Sequence, residues 1–315
     1  MRRILLICST LLLGTTLFGQ LPRPGQEQKQ GSPQQIMDLQ QKLQNLAAPA
    51  KGKVGAAALL LETGDTVEIR GSKHFPMQSV YKLPIAMAVL ARTESGQLNL
   101  DQKVHISSAD LVPPNIHSPI RDRNPNGDFD MTVRDLARAA IVESDGSASD
   151  VLLRLVKPRH VRKYLHNLGV KGIKIANTEK EMALDDKVQY DNWATPRGAV
   201  TLLQKLQAGE GLSVSNRDLL LDWMIETRTG SQRIRGLLPR EVQVADKTGS
   251  SGTEHGVTAA TNDIGLIRLP NGSHLAVAVF VSDSPAESDV REAVIAQIAR
   301  AAWDWAASST TASAH

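Results

Sequence analysis

Cysteine is almost absent from this chain: Cys8 is the only one among 315 residues. It lies in a short apolar run, Ile4–Leu13, that follows Arg2-Arg3 and precedes small and polar residues up to Gln20. That order of basic, apolar and small segments reads as a secretory signal covering residues 1–19. Without it the chain has no cysteine, so disulfides are excluded even in an oxidising compartment. Cys8 also has too little apolar sequence before it to be a lipid-attachment site. Long apolar stretches are missing too. Ile4–Leu13 is too short to span a bilayer comfortably, so no stable membrane anchor is expected. An excess of one charge is likewise absent, with 36 basic against 33 acidic side chains. Loss of Arg2 and Arg3 with the signal brings the two closer still, and nothing points to a nucleic-acid partner. The eight histidines show no ligand spacing such as His-x-x-x-His beside a carboxylate, so neither a metal nor another cofactor is expected. Internal repeats are not seen.

What is present is ordinary globular composition, 41% hydrophobic and 22% charged, enough for one large or two medium domains. Residues 20–32, rich in Gln, Pro and Gly, cannot bury enough surface to order themselves and read as a linker. Ser32-Pro33 then offers an N-cap and first helical residue, and Ile36, Leu39, Leu43 and Leu46 recur at helical spacing up to Pro49. Val54–Leu61, the turn signal Thr63-Gly64-Asp65 and Val67–Arg70 predict a hairpin. From Pro76 to about Ile225 the pattern is helical, as over Leu83–Thr93, Val133–Ile141, Ser147–Val156 and Pro196–Leu206. Strand-like runs return at Val242–Asp246, Ala260–Leu269 and Leu275–Ser282, with Pro270-Asn-Gly272 turning between the last two. Ala286–Ala306 closes the pattern as a helix with Val290, Val294, Ile298 and Trp305 on one face. The expected fold is α/β, of the α+β kind: a five-stranded antiparallel sheet flanked by N- and C-terminal helices, with an inserted all-α domain. The expected boundaries are 33–75 with 226–307 for the α/β domain, 76–225 for the all-α domain and 308–315 for a disordered tail. A cleft would lie between the halves.

Three signals carry chemistry. Ser79-Val80-Tyr81-Lys82 pairs an alcohol with an amine, and on a helix positions i and i+3 share a face. A serine hydroxyl is a weak nucleophile until a neighbouring base takes its proton, and an amine among other cations or away from water can be that base. Alone, such a spacing also arises by chance as an exposed polar pair. Ser144-Asp145-Gly146 lies between two helical runs and by itself would be a plain turn. Lys247-Thr248-Gly249 ends a strand-like run and by itself would be a strand end. There it puts a cation and a hydroxyl at a sheet edge, with a glycine that lets a ligand approach the backbone and the charge to hold a carboxylate.

Taken together, in this order and spacing, the three motifs resemble those of the class A serine β-lactamases, within the wider group of penicillin-recognising acyltransferases. The likeness runs from about Ile36 to Trp305. Phe75–Pro84, Ala259-Ala-Thr-Asn-Asp263 and Lys187-Val-Gln-Tyr-Asp-Asn-Trp193 resemble the PER-like branch. The resemblance implies that Ser79 is acylated, that Lys82 accepts or relays its proton, and that Ser144 passes a proton to the lactam nitrogen. Lys247 and Thr248, beside Gly249, would hold the substrate carboxylate, with Ser250 and Arg233 reinforcing that site. Backbone N–H groups of Ser79 and Ser250 would form the oxyanion hole. The deacylating base would be a loop glutamate, Glu179 or Glu181, and counting back from Thr195-Pro196 places it at Glu179.

Four departures from the common class A pattern bear on selectivity. Gly146 stands where an asparagine amide usually meets the substrate side chain. Ala183 replaces an asparagine that helps hold the hydrolytic water. Asn177 and Asn192 replace an arginine and aspartate that clamp the loop, so a neutral arrangement must hold it. His117 takes the place of an aromatic gate residue. The expectation is a monomeric periplasmic enzyme acting on small β-lactams, cephalosporins and penicillins. Two alternatives stay open: a penicillin-binding D,D-peptidase or transpeptidase acting on peptidoglycan, and a non-catalytic β-lactam sensor that stays acylated.

Overall fold

The computed structural model describes residues 31–311. The signal expected over residues 1–19, the linker up to residue 30 and residues 312–315 lie outside it. Ser32 caps the first helix, Pro33–Ala47, through a capping box with Gln35, and Leu39 and Leu43 are its buried face. Five strands follow in two groups: β1 (Lys53–Leu60), β2 (Thr66–Ile69), β3 (Val244–Ser250), β4 (Thr261–Arg268) and β5 (His274–Ser282). They form one antiparallel sheet in the order β2-β1-β5-β4-β3, leaving β3 at an edge.

Both faces of this sheet are covered. Ala57, Leu59, Ala245, Ile264, Leu266, Ala276, Ala278 and Phe280 join the core shared with the inserted helices. Val54, Ala56, Ala58, Leu60, Val244, Ile267, Val277 and Val279 join a second core with the first and last helices. A strand buried on both sides reads as a continuous apolar run, so the strands were visible in the sequence while their ends were not.

The strand expected over Val242–Asp246 is displaced. β3 runs to Ser250, so Lys247, Thr248 and Gly249 lie inside it rather than beyond its end. The ladder with β4 pairs Thr248 with Asp263, Gly249 with Asn262 and Ser250 with Thr261. Backbone pairing, indifferent to side-chain polarity, carries the strand past its apolar part.

The inserted region is built on helices Lys82–Glu94, Val133–Val142, Gly146–Val156, Pro158–Asn167, Pro196–Gln207 and Val214–Ile225. It is not all-α as expected. Lys103–Ile106 pairs with Phe129–Thr132, and Trp193–Ala194 pairs with both Phe75–Pro76 and Ile173–Lys174. Segments of two to four residues are too short to show a period of two. The helix Lys82–Glu94 is the hub, with every residue from Lys82 to Leu90 buried. The last helix spans Ser288–Thr311, so the tail expected from residue 308 is helical through Thr311. Small Ala, Ser and Thr residues resemble a frayed end in composition without breaking a helix already docked on a core.

Candidate active site

Ser79 stands in a single 3-10 turn, Gln78–Tyr81, that runs directly into the hub helix. The turn is pinned from behind. The Asn262 amide donates to Pro76 O at 2.8 Å and to Met77 O at 3.1 Å, and Met77 N donates to Asn192 O at 2.9 Å. From the side it is met by β3: a Cβ built on Gly249 would stand 2.3 Å from Met77 O and 3.1 Å from Val80 N. Only glycine lets the edge strand come this near to the serine. Lys82 begins the helix with a side chain 2% exposed; its Nζ donates to Ser144 O at 2.6 Å and lies 2.9 Å from Glu179 Oε1. The Glu179 contact is an ion pair without hydrogen-bond geometry, because Oε1 has no hydrogen-bond partner. The amine is thus turned to Ser144 and Glu179, with no hydrogen bond to Ser79 among its contacts. Catalytic hydrogen bonds of this kind commonly close only around substrate.

Ser144 adopts a left-handed backbone with φ of +56°, a conformation that costs a non-glycine residue about 1–2 kcal/mol. Its neighbours hold it there. Asp145 is fully buried and accepts from Ser118 Oγ, Ile120 N and Ala148 N, which caps the helix Gly146–Val156. Ser144 Oγ accepts from Lys247 Nζ at 2.9 Å. Two lysines therefore converge on one serine, Lys82 on its carbonyl and Lys247 on its hydroxyl. Burial first, and then the Lys82 charge, lower the Lys247 ammonium to about 7.

Glu179 and Glu181 sit two residues apart in very different places. Glu181 closes a capping box with Thr178 on the exposed side of the short helix Glu179–Met182. Glu179 is 5% exposed and faces Lys82. The buried Asp150 accepts from Glu179 N at 2.7 Å and Lys180 N at 3.1 Å, fixing the start of this helix. Burial raises the Asp150 carboxyl to about 6 against these two donors. The loop is clamped by neutral groups, as Asn177 and Asn192 required. Asn192 Oδ1 accepts from Ala176 N at 2.7 Å and Asn177 N at 2.9 Å, and its Nδ2 donates to Asn177 O at 2.8 Å.

The end of the site expected to hold a carboxylate is built on β3. Thr248 Oγ1 lies 2.6 Å from Thr229 Oγ1, and Arg233 Nη2 donates to Ser250 Oγ at 2.7 Å. Arg233 is 7% exposed. It is not a loose surface charge. Its Nη1 donates to Asn262 O at 2.9 Å and its Nε to Glu292 Oε1 at 3.0 Å. A cleft of about 500 Å³ joins these parts, lined by Ser79, Lys82, Ser144, Glu179, Thr248, Gly249, Ser250 and Arg233. Ala183 and His117 line it too, but Lys247 and Gly146 do not; they stand behind Ser144 and Ile116. His117 is at the rim, where Nε2–H donates to Glu143 O at 2.9 Å, since a carbonyl can only accept. Among the described residues, no cluster of three or more His, Cys, Asp or Glu side chains is arranged to hold a metal.

Sequence reasoning overlooked Asp150, Asn262, Gln78 and Gln189. Gln78 and Gln189 join side chain to side chain across the cleft floor. In the sequence Asn262 stands out only as part of Ala259–Asp263, the segment that resembles the PER-like branch. It is expected to matter more than that. Asn262→Ala removes both donors from the carbonyls before Ser79, so it should destabilise the fold by about 1–3 kcal/mol and lower acylation, read by denaturant titration and stopped-flow burst rate. The titration of Lys247 gives a second expectation. Its cation stands behind Ser144, beside the expected carboxylate site, and is lost as pH rises through about 7. KM for a carboxylate substrate should therefore rise, roughly tenfold between pH 7 and 8.5. Stability runs the other way. The native group has released its proton near 7 while the unfolded lysine keeps it to 10.5, so this group's contribution to stability improves between those values. KM–pH and melting–pH profiles read the two signs separately.

Comparison with known proteins identifies the family. The Beta-lactamase enzyme family matches residues 38–306 of the chain. The extended-spectrum β-lactamase PER-1 of Pseudomonas aeruginosa is 39% identical over 268 residues, covering 85% of this chain and 87% of that protein. The β-lactamase VEB-1 of the same organism is 38% identical over 274 residues, covering 86% and 91%. Among solved structures, a β-lactamase from Chitinophaga pinensis superimposes with a TM-score of 0.82 at 46% identity, over 85% of this chain and 98% of that one. The chain belongs to the β-lactamase family, as a class A serine β-lactamase of the PER-like branch. It is a hydrolase acting on β-lactams. Among the described residues no helix is long and apolar enough to cross a membrane.

Proposed function

We propose that the chain hydrolyses the β-lactam amide of cephalosporins and penicillins through an ester on Ser79, and that Glu179 activates the water that clears it. The single observation carrying this reading is the buried contact of Glu179 with Lys82 at 2.9 Å in the cleft that holds Ser79. The substrate carboxylate lies against Thr248, Ser250 and Arg233. Ser79 Oγ gives its proton to the Lys82–Glu179 pair and attacks the lactam carbonyl carbon. The oxyanion is received by Ser79 N–H and Ser250 N–H. As the intermediate collapses the C–N bond breaks, and the nitrogen takes the proton of Ser144, which is replaced through Lys82 by the proton that Ser79 gave up, so that Glu179 is again a carboxylate. Glu179 then removes a proton from water, the hydroxide attacks the ester carbonyl, and Ser79 Oγ leaves with a proton returned to it. Ala183 offers that water no amide, so Glu179 and Ser79 must hold it between them.

The protein works as a periplasmic monomer, consistent with the basic and apolar N-terminal segment and with a cleft assembled within one chain. The test is stoichiometry. Mixed with excess chromogenic cephalosporin, the protein should release many equivalents of product per Ser79. A peptidase merely inhibited by β-lactams, or a sensor that stays acylated, would release one equivalent and stop.

A further inference from the structure

Between Asp150 and Glu179 the chain has no acidic residue, yet it carries seven Lys and Arg side chains and two His. The whole chain is close to neutral, with 36 basic against 33 acidic side chains, so the rest of the molecule balances this segment with net negative charge. The helix Pro158–Asn167 lies at its centre and is two-sided. Proline starts it, and Val161 and Leu165 are its buried residues. Arg159, Arg162, Lys163 and His166 are exposed. At 3.6 residues per turn those four fall within an arc of about 100°, turned away from the buried pair. Lys157 and Lys171 are exposed just before and after the helix. Surface helices ordinarily interleave charges of both signs; here the counter-charge is missing. Asp110, 3.1 Å from Arg154 Nε, and Asp191, 3.4 Å from Lys174 Nζ, take the cations at the edges of the segment. Glu94, which faces Tyr164 on this helix, is engaged by Ser213 N at 2.6 Å and the Asn216 amide at 2.8 Å. Among the described residues, no carboxylate forms an ion pair with Lys157, Arg159, Arg162, Lys163 or Lys171; Arg162 donates to Ile175 O at 2.9 Å.

We propose that this face docks the protein reversibly on a bilayer containing anionic phospholipid. The stripe is the convex side of one helix and carries no Phe, Tyr or Trp on which a base could stack. What it offers is positive charge along a helix about 15 Å long, which suits a fluid surface whose headgroups can gather beneath it. Val161 and Leu165 are committed to the protein core, so the helix has no apolar face left to insert among acyl chains. The attachment is therefore electrostatic, weak and released by salt. It also leaves the cleft open. Arg92 Nη1 meets His160 Nδ1 of the basic helix at 3.0 Å, and Arg92 lies ten residues along the hub helix from Lys82, about 15 Å away. In the periplasmic setting proposed above, docking concentrates the enzyme at the bilayer rather than in the bulk fluid.

Co-sedimentation of the purified protein with vesicles provides the test, using phosphatidylcholine alone or with about one-third phosphatidylglycerol. The protein should sediment with the anionic vesicles at about 20 mM salt, leave them at about 300 mM, and ignore the neutral ones. Arg159→Glu with Lys163→Glu should lower the partition coefficient at least about tenfold. Lys42→Glu with Arg240→Glu, exposed residues in the α/β domain, makes the same change in net charge and should leave it within about twofold. Equal losses in the two double variants overturn the assignment to this face. A parent that binds neutral and anionic vesicles alike, or neither, overturns the docking itself. A parent that ignores vesicles but is retained by soluble polyphosphate makes the partner a polyanion instead and overturns the lipid assignment. Melting curves show whether the glutamate pair folds; if it does not, Arg159→Gln with Lys163→Gln reads the same loss in smaller measure. Sedimentation follows the protein and not its activity, so a failure of the proposed function leaves this result standing. Vesicle-bound parent should turn over a chromogenic cephalosporin at the rate of free parent, and a loss of turnover on binding overturns the open cleft.

Discussion

Gly249→Ala is expected to lower the acylation rate by about two to three orders of magnitude while the protein still folds. The added methyl would fall 2.3 Å from Met77 O and 3.2 Å from Gln78 Cβ. Neither atom can yield freely. Met77 O accepts from the Asn262 amide, and Gln78 is held in a left-handed conformation with φ of +48° and tied to Gln189. β3 must instead move away from the serine turn by about 1 Å, which is enough to separate the two proposed oxyanion donors, Ser79 N–H and Ser250 N–H. Stopped-flow measurement of the first product equivalent reads this step directly. An alanine variant that acylates at the parent rate would show that the close approach of strand and turn is not what forms the hole.

Glu179→Gln has the opposite signature. The amide keeps the shape of the side chain but cannot take a proton from water, so steady-state turnover should fall by about three orders of magnitude. One equivalent of product should still appear, though more slowly if Lys82 has lost part of its proton-accepting partner. Glu181→Ala is the control. It opens the capping box with Thr178 and should cost about 1 kcal/mol of loop stability, with turnover near the parent's. If Glu181→Ala stopped turnover and Glu179→Gln did not, the two glutamates would have exchanged roles.

These variants also mark how far the sequence could be read. Ser79, Lys82, Ser144 and Lys247 were legible because they belong to motifs with fixed short spacing. Glu179 was preferred over Glu181 by counting back from Thr195-Pro196; burial against Lys82, and the capping box that occupies Glu181, add a physical reason for that choice. Asp150 and Asn262 were not legible as parts of a site. They act on backbone groups 29 and 186 residues away in sequence, and no local pattern announces such a partner. The five strands were legible from their apolar runs, but β3 was misplaced because its last residues are polar and are held by pairing with β4. The minor strand pairs in the inserted region escaped notice because a pair of residues has no periodicity. Gly146 was legible as a departure, and only the structure shows that Ile116 stands in front of it.

Glu179 is the group proposed to release Ser79 from its ester. Intact-protein and peptide mass spectrometry of Glu179→Gln, sampled minutes after mixing with a chromogenic cephalosporin, tests that claim most directly. The predicted result is a stable adduct on the peptide containing Ser79, with the parent protein returning to its free mass once substrate is spent. Unmodified Glu179→Gln protein that continues to turn over substrate would contradict it.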